Sequence, residues 1–198
     1  MKRFTLILSC FILIPTILNA QDMRTSELPY YEIPDYPETY TAGSVASRMI
    51  DGLGFRYYWA TEELKKEDLL YKPSEKGRTC DETLEHIYSL SKVIVNATTN
   101  TPNDRSVVEE ELDFEVKRKR TLENFKKASI ILRNSKDLAD LKLIFKGSQG
   151  TNEFPFWNGI NGPIADAIWH TGQVVLLRRA SGNPFNSKAS VFTGKLRE

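Results

Sequence analysis

The sequence predicts an all-α domain, a four-helix bundle, on three observations. Two stretches carry the Ser/Thr-x-x-Glu signature of a helix start, Thr79-Cys80-Asp81-Glu82 and Ser106-Val107-Val108-Glu109. In that signature the hydroxyl and the carboxylate satisfy backbone N–H groups that the first turn leaves free. Apolar residues recur at helical spacing over long segments, as at Val45, Met49, Leu53 and Tyr57. The last segment, Gly162 to Arg179 (GPIADAIWHTGQVVLLRR), is apolar almost all the way round yet carries Asp166, His170 and Gln173 in one line. A helix apolar on every side belongs in an interior, where an unpartnered carboxylate or imidazole costs several kcal/mol. Those three residues need partners.

Residues 1–20, MKRFTLILSCFILIPTILNA, set Lys2 and Arg3 before an apolar run that closes on the small Ala20, the pattern of a secretory signal peptide. A membrane anchor is the competing reading, but Pro15 interrupts the run and it falls short of the about 20 residues a spanning helix needs. Cys10 after Leu8-Ser9 faintly suggests a lipoprotein site, yet the apolar run continues past it. The mature chain is expected to begin near Gln21, to be exported to a periplasm or beyond, and to have no membrane attachment.

The full chain has 27 Lys+Arg against 26 Asp+Glu. Losing Lys2 and Arg3 leaves it near neutral, so nothing draws nucleic acid over long range. The one basic cluster, Lys117-Arg118-Lys119-Arg120, follows Glu109, Glu110, Glu111 and Glu115 and reads as a solvated helix face. Cys80 is the only cysteine after residue 20, so no internal disulfide forms; it is either buried and inert or a free thiol.

Residues 21–41 are rich in Pro, Tyr and acids, without helical period. They predict an extended arm on the domain, its tyrosines packed by their rings. The bundle is expected over residues 42–182. The first helix runs from Ala42 to about Leu64, and the second from Thr79 to about Ala97. The third runs from Ser106 to about Leu132, with Leu112, Val116, Leu122, Phe125 and Ile130 among its buried residues. Asp140 to Phe145 alternates and predicts a short strand or an extended connection. The fourth helix follows Gly147–Gly150 and extends to Ala180, with Gly182-Asn183-Pro184 as its stop. Residues 183–198 form a C-terminal tail.

Pro163, Asp166, Ala167, His170, Gln173, Val174 and Leu177 make one stripe of the fourth helix. His86 shares a stripe with Leu90, Val93 and Ala97 on the second. The chain's only two histidines, His86 and His170, thus fall on inward faces. Two imidazoles and the Asp166 carboxylate meeting between helices are the ligand set of an open metal site, a two-His-one-carboxylate arrangement or a three-ligand zinc site. Gln173 would orient a ligand from behind. The plainer reading is a buried Asp–His hydrogen bond that satisfies polar groups. Glu82, one turn before His86, is explained by its cap and is a weaker site candidate. Trp157, Asn158, Asn161 and Trp169 would line a pocket mouth, and Arg178 and Arg179 suit a helix C-terminus.

Glu82-Thr-Leu-Glu-His86-Ile, Trp157-Asn158 and His170-Thr-Gly-Gln173-Val-Val-Leu-Leu-Arg178-Arg179 together resemble the DinB/YfiT-like family of metalloenzymes over residues 44–182. The resemblance implies a four-helix bundle of up-down-down-up topology, often dimeric. It also implies a divalent ion, commonly zinc or nickel, on one His of the second helix and an HxxxH pair of the fourth. Carried over, the ligands are His86 and His170, with Asp166 where the family has the first His of the pair. The function expected is an exported metal-dependent enzyme of hydrolase or transferase type, its small-molecule substrate unidentified. The alternative is a non-catalytic small-ligand-binding relative that has lost the ion. A homodimer is expected, on the resemblance and because Phe55, Tyr57, Tyr58 and Trp59 present rings to more than one side of the first helix.

Overall fold

The computed structural model describes residues 28–198, and within them four long helices carry the fold: α1 (Ala42–Thr61), α3 (Cys80–Ala97), α4 (Phe114–Arg133) and α6 (Ala165–Ala180). The signal-peptide reading of residues 1–20 and the first part of the expected arm lie outside the described residues. Each long helix packs on two others, α1 on α4 and α6, and α3 on α4 and α6. The bundle core closes around Ile50, Leu53, Phe55, Leu84, Ile87, Leu122, Phe125 and Ile164. A short helix, α2 (Lys66–Leu70), follows α1, and a three-residue turn, α5 (Trp157–Gly159), precedes α6. No helix among the described residues is long and apolar enough to cross a membrane.

The chain is mainly helical, not purely all-α. Strands β1 (Asn103–Asp104), β2 (Lys142–Gly147) and β3 (Gly150–Pro155) form one sheet, with β1 parallel to β2 and β3 antiparallel to it. The alternation at 140–145 is thus a strand. Residues 150–155, expected to open the fourth helix, are its hairpin partner, registered Lys142↔Pro155 through Gly147↔Gly150. Gly150, at φ +121°, makes the turn that lets β3 double back. What holds β3 is pairing with β2, which helical periodicity does not report.

The third helix begins later than expected. The Ser106 hydroxyl and N–H both donate to Asp104 Oδ1, at 2.6 and 2.9 Å, so the capping signature there is diverted into a turn. Asp113 is the true cap, accepting from the Val116 N–H at 2.8 Å. The buried face is also shifted: Leu122 and Phe125 are in the core, whereas Val116 and Ile130 are exposed and Leu112 is half-buried. Lys117 and Arg118 are buried instead. Burial works against the Lys117 charge, but Asp81 and Glu85, at 2.9 and 3.0 Å, hold its ammonium above the usual range.

The arm lies on α1. Tyr30 is buried against Gly54, where a Cβ would stand 2.4 Å from its ring, and its hydroxyl donates to the buried Asp51 at 3.1 Å. Tyr31 stacks on Trp59 and Tyr58, with centroids 5.1 and 5.9 Å away. Tyr36 and Tyr40 are exposed, the Tyr36 ring covered only by the Arg48 guanidinium 4.7 Å from its centroid. Residues 183–198 form more than a tail. Strands β4 (Ala189–Ser190) and β5 (Lys195–Leu196) pair, and Gly194 between them accepts from the Ile33 N–H at 2.9 Å. Phe55, Tyr57, Tyr58 and Trp59 are all buried, so α1 leaves no aromatic ring for another subunit to cover.

Candidate metal centre

The seam between α3 and α6 receives one histidine from each helix. On α3 the cap is as the sequence predicts: Thr79 Oγ1 accepts from the Glu82 N–H at 3.0 Å, and Glu82 Oε2 accepts from the Thr79 N–H at 2.7 Å. That fixes the first turn, and His86 follows on the side toward α6. On α6 the approach is irregular. A π-helical turn, Ile160–Ile164, with Pro163 inside it and Gly162 at φ −95°, ψ −109°, separates α5 from α6. Such turns are frequent at functional sites. The expected single helix from Gly150 is therefore broken, and only 165–180 is regular α-helix.

Directly after that turn, Asp166 stands in the first turn of α6. Its Oδ2 lies 3.1 Å from His86 Nε2 and its Oδ1 3.4 Å from His170 Nε2. The two imidazoles meet edge to face, centroids 4.5 Å apart and planes at 87°. One ligating atom from each of the three residues lies within 4.8 Å of the others. Bonds of about 2.0–2.1 Å set ligand atoms roughly 3–4 Å apart around one tetrahedral ion, so small side-chain rotations bring all three onto one cation. These residues could hold a metal ion.

Gln173 determines how His170 presents itself. Its Oε1 is 2.7 Å from His170 Nδ1, so Nδ1 carries the proton and donates to the amide oxygen. This tautomer is assigned from the hydrogen-bond partner. In the neutral ring, Nε2 then turns a lone pair toward Asp166 Oδ1, and two acceptors face each other at 3.4 Å. A cation between them, a proton or a metal ion, turns that opposition into attraction. The donor set of this pocket thus fits a divalent ion chemically as well as in span.

The site is less buried than the stripes predict. The side chains of His86, Asp166 and His170 are 33, 38 and 14 % exposed. The adjoining flank of α6 is open too, with Trp169 and Leu176 71 and 65 % exposed. The helix is apolar almost all round, yet it sits at the edge of the bundle, and water reaches the carboxylate. The desolvation cost that raised the question of partners is correspondingly smaller.

The remaining candidates separate. Glu82 serves the cap and makes no hydrogen bond to His86. Asn158, Trp157 and Asn161 are exposed on the approach to α6, and Trp169 points away to solvent. Cys80 is fully buried, and burial, with help from Asp68 and Asp81, pushes its thiol up to about 12; it is inert as a nucleophile.

Arg178 was misjudged by the dipole argument. It is buried, and its Nη1 donates to the carbonyls of Trp59, Ala60 and Glu62, at 3.1, 3.0 and 2.9 Å. It therefore caps the C-terminus of α1 from α6, and an arginine in an otherwise apolar helix was the only local signal. Asp51 gave a similar signal, a lone carboxylate beside Ile50 and Leu53. It is buried and accepts from Tyr30, Ser129 (2.5 Å) and Arg133 (2.6 Å). Compared with family models, curated proteins and solved structures, the chain matches none, and the reading of this site rests on its own geometry.

Proposed function

We propose that this protein is an exported metal-dependent enzyme of the DinB/YfiT-like kind, hydrolase or transferase in type, with zinc or nickel held by His86, Asp166 and His170. The observation that carries the reading is the convergence of three ligating atoms within 4.8 Å, one of them a lone pair that Gln173 aims at a carboxylate. A bound ion would supply Lewis-acid chemistry to a substrate reaching the seam. The chain's own residues do the rest. Gln173 fixes the His170 tautomer, Asp166 lowers the net charge of the site, and the partly exposed side chains of His86 and Asp166 leave it within reach of solvent. The alternative, a non-catalytic binding protein without an ion, is favoured by one contact, the direct 3.1 Å approach of Asp166 to His86.

Chelation distinguishes the two. Ion binding adds to folding stability, so a chelator should lower the melting temperature of the wild type and leave that of Asp166→Ala nearly unchanged. The alanine costs at His86 and Asp166 should also be coupled rather than additive. A melting temperature that the chelator leaves unchanged in both proteins supports the metal-free alternative, in which the two alanine costs are coupled as well, through the direct contact of Asp166 with His86. The expected homodimer would use α6 instead of α1. Residues 167–177 carry no charge and leave Trp169 and Leu176 uncovered, so two copies can meet there without opposing like charges.

A further inference from the structure

A cavity of about 700 Å³ opens between α3, β2 and the segment leading from α3 to α4, a size usual for small-molecule sites. Its walls carry three cations, Lys92, Arg105 and Arg120, three carboxylates, Asp104, Glu109 and Glu110, and the rings of Tyr88 and Phe145. Lys92 Nζ stands 4.8 Å over the Tyr88 ring, and Arg105 lies 5.3 Å over Phe145. Two of these cations are engaged by consecutive residues of the connecting segment: Glu109 pairs with Lys92, and Glu110 with Arg120 at 3.1 Å.

Among the described residues, no other hydrogen bond or ion pair holds residues 107–111. Val107 and Val108 are 65 and 93 % exposed, and both carboxylates are more than half exposed, so each pair contributes at most about 1 kcal/mol. The segment therefore lays two carboxylates on two cations around one tyrosine, without apolar burial to hold them in place. That is the arrangement of a tethered stand-in for a ligand.

We propose that this cavity binds a small organic dianion, its two acidic groups replacing the Glu109 and Glu110 carboxylates on Lys92 and Arg120. The site is separate from the metal centre, and the proposal does not depend on it. Because the tethered carboxylates compete at high effective concentration, the wild type binds such a ligand weakly, and neutralising them strengthens binding.

The test is calorimetric titration of the full chain, dialysed free of metal, with glutarate and with glycerol phosphate, acetate serving as the monoanion control. Glu109→Gln/Glu110→Gln should bind at least one dianion about tenfold or more tighter than the wild type. Adding Lys92→Met and Arg120→Met should abolish that binding, and acetate should gain nothing in any variant. Amide shifts in a labelled sample should move at residues 105–111 when the dianion is added. The proposal is overturned if the Gln variant binds neither dianion up to about 10 mM, if affinity is unchanged without Lys92 and Arg120, or if the shifts fall elsewhere.

Discussion

Replacing Gln173 by Leu removes the acceptor that holds His170 Nδ1 at 2.7 Å while keeping a side chain of similar size. In the folded protein, His170 is then free to take either tautomer and to turn about its Cβ–Cγ bond. The share of molecules presenting an Nε2 lone pair to the seam falls. Losing an outer-shell hydrogen bond of this kind typically weakens metal affinity 10- to 100-fold, which is about 1.4–2.7 kcal/mol. Gln173→Glu keeps an acceptor and adds negative charge behind the ring, so it should bind zinc at least as tightly as the wild type. The assay is competition for zinc against a colorimetric chelator at fixed pH, with melting temperatures measured on the metal-free proteins to separate affinity from stability. If Gln173→Leu binds zinc within twofold of the wild type, Gln173 does not orient His170, and the tautomer argument fails with it.

Arg178→Met should cost about 3–5 kcal/mol in urea denaturation. It strands three buried carbonyls at the end of α1 and removes the cation beside Asp68; a loss under 1 kcal/mol contradicts its role as a cap. The Cys80 thiol, raised from 9.0 to about 12, favours folding fully below pH 9, and that contribution is lost as the pH climbs toward 12. The stability difference between wild type and Cys80→Ala should therefore narrow over that window, and thiol reagents should modify the native protein only as fast as it opens. In light scattering at tens of micromolar, the wild type should be dimeric and Trp169→Lys/Leu176→Lys monomeric. A monomeric wild type would remove α6 as an interface.

What the sequence made legible was local or periodic. The Thr79–Glu82 cap needs only four residues and forms as expected, and a 3.6-residue period suffices to set Asp166, His170 and Gln173 on one face. The Ser106 capping signature failed because Asp104, two residues earlier, captures the same hydroxyl. Residues 150–155 were misassigned because strand pairing with 142–147 is decided across a turn. The degree of burial at the candidate metal centre depends on how far α6 is rotated about its axis, which periodicity leaves open; Asp166 and His86, expected on buried stripes, are therefore about a third exposed. Arg178 was missed for a related reason, since its carbonyl partners are on α1, more than a hundred residues away.

His86, Asp166 and His170 are proposed to hold one divalent ion between α3 and α6. Diffraction from tag-free crystals soaked in zinc or nickel, recorded on both sides of the metal's absorption edge, tests it most directly. A single anomalous peak is expected within bonding distance of His86 Nε2, His170 Nε2 and an Asp166 oxygen, absent in crystals of Asp166→Ala/His170→Ala. A seam without a peak after soaking, with Asp166 still hydrogen-bonded to His86, would contradict it.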